Sequence, residues 1–350
     1  MIYAHIPFCE SKCPYCSFNS FAARVIPREE YIAALIRQFE SDRREFGLDR
    51  FGSLYIGGGT PSIFAAESYA PFFEKVSPFL AEDAEITIEA NPVSLTLKWA
   101  KTMRSFGVNR ISVGVQSFCD RKLRVLGRAH NAKEAKTAIA AAIDAGFEQI
   151  SVDFIYGVLG DDLKTLLNDL SEAKKLGAAH ISAYALTIEE DTPIDRQTAI
   201  DDLELERAFS EAIEEARYPR YEVSNYGVAP SAHNAGYWEG RDYLGLGAGA
   251  IGNVKRGDSY LRYAPRKAIG EYMRDPLCKT TEAIDEKTRN DELLMLGLRC
   301  DHGFEARILS EKERERADFL ARNGRLNARG ERYFNADFWL SDEIWLYIKG

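Results

Sequence analysis

The stretch Cys9-Glu10-Ser11-Lys12-Cys13-Pro14-Tyr15-Cys16 places three cysteines within a short segment near the N-terminus. An iron–sulfur cluster with a full set of protein ligands takes four cysteines. A [4Fe–4S] cluster on Cys9, Cys13 and Cys16 would therefore leave one iron open to a small molecule. The alternative is a zinc site with His5 as fourth ligand, since zinc also binds thiolate and imidazole. His5 is too near Cys9 for the usual finger spacing, and no second CxxC pair exists, so the pattern favours the cluster.

The composition is that of a protein with a substantial apolar core, since 45% of the 350 residues are hydrophobic. No stretch is apolar enough for a membrane-spanning helix, and the N-terminus lacks the segments of a signal peptide. We therefore expect a cytoplasmic protein, with peripheral membrane association left open. The net charge of −9 argues against a nucleic-acid binder, which normally shows a basic face. We expect the other cysteines to be small buried hydrophobic residues, since they are scattered without pattern (Cys119, Cys278 and Cys300).

The first two thirds of the chain alternate short β-rich runs with amphipathic helical stretches. Predicted helices include Arg28–Phe46, Leu95–Phe106, Ala132–Ala145 and Leu163–Leu176, and the last three are followed by a glycine suited to a left-handed C-cap. Six β–α units in sequence imply parallel strands with right-handed crossovers. The six predicted strands are Ile2–Ile6, Ser53–Ile56, Glu85–Glu89, Arg110–Val115, Gln149–Phe154 and His180–Leu186.

Both a doubly wound sheet and a partial barrel fit that alternation, and the polar residues help to choose between them. Each predicted strand is followed at its C-terminal end by small, charged or amide residues. A ring of such groups at one mouth is how a (β/α) barrel builds its site. We therefore predict an α/β fold with a partial (β/α)6 barrel over residues 1–200, open on one side.

The regular alternation ends near residue 190. Residues 201–284 are predicted as an extension with a helix (Leu203–Ala216), a strand-like run (Tyr221–Tyr226) and a loop spanning residues 233–238, His-Asn-Ala-Gly-Tyr-Trp. A glycine-rich segment follows at residues 245–252. From residue 285 to 350 the chain is again helical and charged, which is compatible with a small winged-helix-like domain.

Several motifs together resemble the oxygen-independent coproporphyrinogen III oxidase branch of the radical S-adenosylmethionine (SAM) proteins. The resemblance covers about residues 2–300, and the motifs together are highly specific. They are Tyr3-Ala4-His5-Ile6-Pro7-Phe8-Cys9 with the cysteine loop, Gly57-Gly58-Gly59-Thr60-Pro61-Ser62, Glu89-Ala90-Asn91-Pro92, Arg110-Ile111-Ser112-Val113-Gly114-Val115-Gln116-Ser117-Phe118 and Leu126-Gly127-Arg128-Ala129-His130.

The resemblance implies a [4Fe–4S] cluster on the three cysteines and SAM bound at its open iron. In that superfamily the reduced cluster cleaves SAM to methionine and a 5′-deoxyadenosyl radical. Taken singly, a glycine triplet is more often a tight turn, and each polar residue could be a structural hydrogen-bonding group. By resemblance the SAM contacts are Tyr3, Tyr15, Gly58, Gly59, Thr60, Glu89, Gln116, Arg128, Asp153, Ala185 and Ile251. Gly157-Val158-Leu159-Gly160 departs from the Gly-Leu-Pro usual there, which puts contacts near Tyr156 in doubt.

Two features separate the chain from the oxidases themselves. The oxidases carry a fourth cysteine where this chain has Phe18, and they have a segment ahead of the Tyr-x-His motif. The hexapeptide at residues 233–238 instead resembles the HNxxYW signature of the HemW-type haem chaperones. This implies haem binding, with His233 as a candidate axial ligand and Tyr237 and Trp238 as residues that pack on the porphyrin.

Three functions follow from the sequence. The preferred one is a radical SAM-type haem chaperone that binds haem and delivers it to an unidentified acceptor protein, respiratory proteins being one class considered. The first alternative is an oxygen-independent coproporphyrinogen III oxidase that decarboxylates two propionates. The second is a binding module with structural zinc, which would not need the glycine triplet, Glu89 or Gln116.

Overall fold

Six parallel strands form the centre of the computed structural model, which describes residues 1–22, 26–190, 192–257 and 259–350. They pair in chain order, each with the next along the sequence. In a doubly wound sheet the spatial order of the strands would reverse at a switch point, and here it does not. The predicted partial barrel is therefore confirmed. The strands are β1 (Ile2–Ile6), β2 (Phe51–Gly58), β3 (Leu80–Ala90), β4 (Arg110–Gln116), β5 (Gln149–Tyr156) and β6 (His180–Ala185).

The apolar core lies between these strands and an outer layer of helices. Alternate residues of β4, namely Ile111, Val113 and Val115, are completely buried against that layer. The other alternate positions of the same strand face the barrel interior and are polar or glycine, so one strand separates core from cavity. The covering helices are α1 (Arg28–Phe46), α2 (Ala70–Val76), α3 (Leu97–Ser105), α4 (Asp120–Val125), α5 (Ala132–Asp144) and α6 (Leu163–Lys175).

Local signals in the sequence fix the ends of these helices. Asn131 and Glu134 form a reciprocal capping box at the start of α5, and Asp162 caps α6 by accepting the N–H of Thr165. Three glycines (Gly107, Gly146 and Gly177) follow helices with φ of +93°, +86° and +78°. These values lie in the left-handed region, so the predicted glycine C-caps are confirmed.

Two short strands lie at the edges of the sheet. β7 (Asn225–Gly227) runs antiparallel to β6, and β8 (Leu244–Leu246) runs parallel to β1. Within the described residues no pairing joins β7 to β8. The barrel is therefore open on that side.

Among the described residues, the later part of the chain forms two smaller sheets and several helices. The first sheet contains β9 (Gly252–Arg256), β10 (Ser259–Pro265) and β11 (Lys279–Ile284), and the second contains β12 (Phe304–Glu305), β13 (Leu326–Arg329) and β14 (Arg332–Asn335). The C-terminal part has a separate apolar cluster, formed by buried residues between Leu294 and Ile348. The remaining helices are α7 (Leu203–Glu215), α8 (Ala232–Trp238), α9 (Ile269–Arg274), α10 (Glu286–Gly297), α11 (Glu311–Arg322) and α12 (Ser341–Lys349). In the described ranges, no helix combines the length and the apolar character needed to cross a membrane.

Two elements differ from the prediction. The strand predicted over Tyr221–Tyr226 is wrong in extent, because only Asn225–Gly227 pairs continuously and Glu222 makes an isolated bridge to Cys300. The segment predicted as a loop at residues 233–238 is instead α8. Its first turn is stabilised by a distant partner, the Glu85 carboxylate, which accepts the N–H groups of Ala232 and His233 at 2.9 and 3.0 Å.

Candidate functional site

The cysteine loop is closed at its base by a short parallel pair of strands, Phe8–Cys9 with Phe21–Ala22. Within the loop, the N–H of Cys16 donates to the carbonyl oxygen of Cys13 at 3.1 Å, which forms a tight turn. Cys9, Cys13 and Cys16 all line one cavity. Burial raises the pKa of the Cys9 thiol, and a hydrogen bond from Thr60 Oγ1 at 3.5 Å opposes that rise.

This cavity has a volume of about 430 Å³ and extends from the cysteine loop along the inside of the barrel. Nine of the residues expected to contact SAM line it together with the three cysteines. The structure therefore brings together one group of side chains from many parts of the sequence. The nine are Tyr15, Gly58, Gly59, Thr60, Glu89, Gln116, Arg128, Asp153 and Ala185.

The glycine triplet allows β2 to approach the cysteine loop closely. A Cβ on Gly59 would lie 2.8 Å from the Phe8 carbonyl oxygen and 2.9 Å from Cys9 Sγ. Gly58 has φ of +122°, which favours glycine, and its N–H donates to Glu89 Oε2 at 3.0 Å. The N–H of Gly59 donates to the carbonyl oxygen of Ile6. These two N–H groups are thus used within the protein, and the triplet serves close packing here.

Two polar side chains, Gln116 at the end of β4 and Arg128 after α4, line the cavity together with the cysteine loop. Gln116 has φ of +65°, a strained conformation for a residue other than glycine, at a register shift in the pairing of β4 with β5. Arg128 donates from Nη2 to the carbonyl oxygen of Gly114 at 2.8 Å and from Nη1 to Cys13 Sγ at 3.3 Å. Its Nε has no partner. The guanidinium therefore links the sheet to a cysteine and retains a free donor.

Two partly buried carboxyl groups face the same space. Burial raises the pKa of Glu89 to about 7, and a hydrogen bond that the Tyr55 hydroxyl donates to it at 2.8 Å partly opposes this rise. Burial likewise raises the pKa of Asp153 to about 6, with Ser112 donating to it at 2.9 Å. Raised carboxyl pKa values in a cavity are typical of sites that receive a cationic or hydrogen-bonding ligand.

Tyr15 joins the cysteine loop to the segment that follows β6. It packs against a small apolar cluster that includes Leu186 and Ile194. The N–H of Ile194 also donates to the carbonyl oxygen of Pro14 at 3.2 Å. Tyr15 also lines the cavity, and its contact with SAM stays a prediction.

Two expected SAM contacts do not line the cavity. The Tyr3 hydroxyl bonds to His5 Nδ1 at 2.9 Å, and its ring lies 6.2 Å from that of Tyr55. Ile251 is 49% exposed. It follows a glycine-rich segment that packs on α1, where Gln38 accepts the N–H of Gly247. The two residues stay predicted contacts only.

The zinc alternative does not fit the position of His5. Its Nε2 lies 2.9 Å from the carbonyl oxygen of Asn19, which can only accept, so Nε2 carries the proton. Nδ1 then accepts from Tyr3, and both ring nitrogens are engaged. In the ranges that the structure describes, no three His, Cys, Asp or Glu side chains converge closely enough to hold a single metal ion.

The donor set fits a cluster better than a single ion. A cubane spreads its irons over separate thiolates, and three thiols line one cavity beside charged and amide groups. The other cysteines (Cys119, Cys278 and Cys300) do not line it. Phe18, at the position of the oxidases' fourth cysteine, is 66% exposed at the edge of the cavity.

The candidate haem residues lie on α8, away from the cysteine loop. His233 is 0% exposed; Nδ1 lies 2.8 Å from Ser53 Oγ and Nε2 lies 3.1 Å from the Tyr237 hydroxyl. Burial lowers its pKa to about 3, so the ring is neutral. Coordination of a haem iron by His233 would require the Tyr237 contact to break. Neither Tyr237 nor Trp238 lines the cavity, although Asn234 does.

Sequence reasoning missed a layer of polar residues inside the barrel. The signal was available, because the β4, β5 and β6 sequences alternate polar and apolar residues. Their apolar positions face the helices, so their polar positions must face the interior. The missed residues that line the cavity are Tyr55, Thr87, Arg110, Ser112, Ser151, His180 and Ser182.

The Radical SAM superfamily model matches residues 3–173. The heme chaperone HemW of Haemophilus influenzae is 39% identical over 267 residues, which cover 72% of this chain and 70% of that protein. The chain belongs to the HemW family of radical SAM proteins. HemW of Escherichia coli is 37% identical over 72% of this chain and 70% of its own, and HemW of Bacillus subtilis is 31% identical over 89% and 86%.

A solved structure supports the fold of this HemW family member. Coproporphyrinogen III oxidase (HemN) from Escherichia coli superposes with a TM-score of 0.79 at 20% identity, covering 99% of this chain and 89% of that chain. At this identity the likeness establishes the architecture alone. The α/β radical SAM fold is therefore shared with HemN.

Proposed function

We propose that this chain is a haem chaperone that binds haem and transfers it to an acceptor protein, while carrying a [4Fe–4S] cluster and SAM. The observation that carries the proposal is the agreement between two independent features. The chain is 39% identical to a protein named heme chaperone HemW, and its three loop cysteines line one polar cavity. The acceptor is a protein of unidentified class.

In this proposal Cys9, Cys13 and Cys16 hold the cluster, and the surrounding cavity holds SAM. When bound, the cluster supplies single-electron chemistry toward the sulfonium of SAM. The chain's own residues bind and orient the ligand: Glu89 and Asp153 accept from its ammonium or hydroxyl groups, and the Arg128 guanidinium attracts its carboxylate. Tyr15 and its apolar neighbours exclude water from one side.

Haem is the proposed cargo. The motif at residues 233–238 remains the proposed haem-binding element, with His233 as the candidate ligand once its ring is released. Its present hydrogen bonds to Ser53 and Tyr237 imply that haem binding by this route changes the conformation of α8. The alternative without such a change is a ligand elsewhere in the chain.

The test is anaerobic reconstitution of the full chain, followed by parallel assays on the same preparation. We expect tight haem binding in the visible absorption spectrum and transfer of that haem to an apo-haemoprotein. Coproporphyrinogen III should stay unchanged when a reductant and SAM are present. Formation of protoporphyrinogen IX over many turnovers would contradict the proposal and favour the oxidase.

A further inference from the structure

The far end of the barrel cavity, away from the cysteine loop, has its own set of polar groups. β4 rises by about 3.3 Å per residue, so Arg110 at its start and Gln116 at its end lie roughly 20 Å apart along the strand. Both residues line the cavity. Most residues proposed for SAM lie toward the Gln116 end; the nearest to Arg110 is Glu89, which pairs in register with Ser112, two residues along β4. The level of Arg110 itself, with its register partner Thr87, contains none of the proposed SAM residues.

Arg110 is buried with incomplete hydrogen bonding. It is 3% exposed, its Nη2 has no partner, and its Nη1 makes only a long bond of 3.4 Å to the carbonyl oxygen of Ala229. Glu85 is the acidic partner, at 3.6 Å from Nη1. A buried guanidinium that lacks partners is unfavourable unless a ligand or water supplies them.

Glu85 does not satisfy this arginine, because its carboxylate is used elsewhere. It accepts hydrogen bonds from Ser231 Oγ at 2.9 Å and from the N–H groups of Ala232 and His233. All three donors belong to the start of α8. The ion pair with Arg110 is consequently long, and one face of the guanidinium is left to the cavity.

In the cavity, the neighbour of Arg110 at its own level of the sheet is a hydroxyl group, and the carboxyl groups of Glu89 and Asp153 lie one level further along, beside Ser112. Thr87 is the register partner of Arg110, and its Oγ1 also has no partner. Ser112, Ser151 and His180 pair across three adjacent strands at the next level. His180 is neutral, since burial lowers its pKa well below the usual value. The hydroxyls of Ser112 and Ser151 are engaged, the first with Asp153 Oδ1 at 2.9 Å and the second with His180 Nδ1 at 2.7 Å. The unused groups are therefore Arg110 Nη2 and Thr87 Oγ1, a guanidinium N–H beside a hydroxyl, and such a pair binds a carboxylate.

We propose that the Arg110 end of the cavity is a carboxylate-binding subsite. The carboxylate is either a propionate arm of the tetrapyrrole cargo or a free small organic acid. The first source rests on the proposed function, and the second does not.

The experiment compares haem with haem dimethyl ester, in which both carboxylates are masked, on the reconstituted full chain with SAM. Spectroscopic titration should show the ester binding about 10-fold or more weakly than haem, because the ester loses the charge-assisted hydrogen bonds that a carboxylate accepts from a guanidinium. In Arg110→Gln the ratio of the Kd of the ester to the Kd of haem should fall to about 1. The exposed Arg124→Gln variant is the matched control and should keep the wild-type ratio.

A second measurement covers the small-acid source. If the carboxylate is that of a free acid, saturation-transfer NMR should show succinate binding to the wild type and no binding to Arg110→Gln. This result would support the subsite even if haem and its ester bind equally well. The proposal is overturned if the wild type neither distinguishes haem from its ester nor binds succinate. It is also overturned if Arg110→Gln weakens haem and ester equally without affecting succinate, since Arg110 would then be structural.

Two further outcomes keep the two proposals separable. If no variant binds haem, the chaperone proposal fails and the succinate measurement alone decides the subsite. If Arg110→Gln does not fold, Arg110→Lys replaces it. Lysine keeps the positive charge but cannot form the bidentate hydrogen bonds of a guanidinium. The ratio of the Kd of the ester to the Kd of haem should then lie between 1 and the wild-type value.

Discussion

The Sγ of Cys9 lies 2.9 Å from the position that a Cβ on Gly59 would occupy. No real Cβ approaches a sulfur so closely, and the Phe8 carbonyl oxygen closes the other side at 2.8 Å. The glycine triplet and the cysteine loop therefore fix each other's positions. This contact links two motifs that are 50 residues apart in the sequence.

Gly59→Ala should consequently impair cluster binding without preventing folding. The added methyl group must displace the backbone at Phe8 or the side chain of Cys9, so we expect iron and sulfide content to fall by half or more after reconstitution. Gly52→Ala is the control, because Gly52 lies in β2, the strand that Gly59 directly follows, and nothing lies within 4 Å of its Cβ position. Equal iron loading in both variants would show that the contact does not constrain the cluster site.

Cys13→Ala tests the ligand set directly. Two remaining thiolates are too few to hold a cubane stably, so the variant should fold yet contain little iron. Cys119→Ala, Cys278→Ala and Cys300→Ala should each reconstitute normally, since these cysteines do not line the cavity. Iron and sulfide assays decide the result, and a full complement of about four irons in Cys13→Ala would place the cluster elsewhere.

His233→Ala should destabilise the chain by about 2–4 kcal/mol. The substitution removes a fully buried ring and two hydrogen bonds, those to Ser53 and Tyr237, and leaves a cavity beneath α8. Urea unfolding measures this loss. Tyr237→Phe is the companion variant, because it removes one of those bonds and keeps the ring.

The same pair of variants tests haem ligation. If His233 coordinates iron, His233→Ala changes the visible spectrum of bound haem while Tyr237→Phe preserves it. Iron–sulfur content should stay unchanged in both variants, because the proposed sites use separate residues. A wild-type haem spectrum and affinity in His233→Ala would show that this histidine is structural.

Glu89 makes the stability of the cluster-free chain depend on pH. Its pKa is raised from 4.5 to about 7 in the folded state, so the folded chain holds a proton that the unfolded chain releases between these values. Stability should therefore fall as the pH rises from about 4.5 to 7, by on the order of 3 kcal/mol from this group. Glu89→Gln should flatten that part of the profile.

The measurement is the urea midpoint of the cluster-free chain at pH 5 and at pH 8. Asp153 contributes in the same direction over a narrower range, since its pKa is raised to about 6. Asp153→Asn should therefore flatten the profile less than Glu89→Gln does. Identical pH dependence in wild type and Glu89→Gln would contradict the raised pKa.

Sequence reasoning predicted the barrel well, because its strands and helices carry strong local signals. The capping box of Asn131 with Glu134 and the glycines that end three helices need no tertiary information. It failed at α8, where Glu85 satisfies the first N–H groups from 147 residues away. It also missed Arg110, because a cation at the start of a strand looks like a surface residue until the register places it inside.

The separation of the barrel's two faces has a consequence for how such proteins diversify. The side chains that hold the fold together, such as Ile111 and Val113, lie on the outside of the sheet, whereas Ser112, Ser151 and Ser182 lie inside. Exchanging small polar groups on the inner face therefore disturbs the hydrophobic packing very little. A lineage with this architecture can acquire a new ligand through a handful of inner-face replacements while its folding determinants remain untouched.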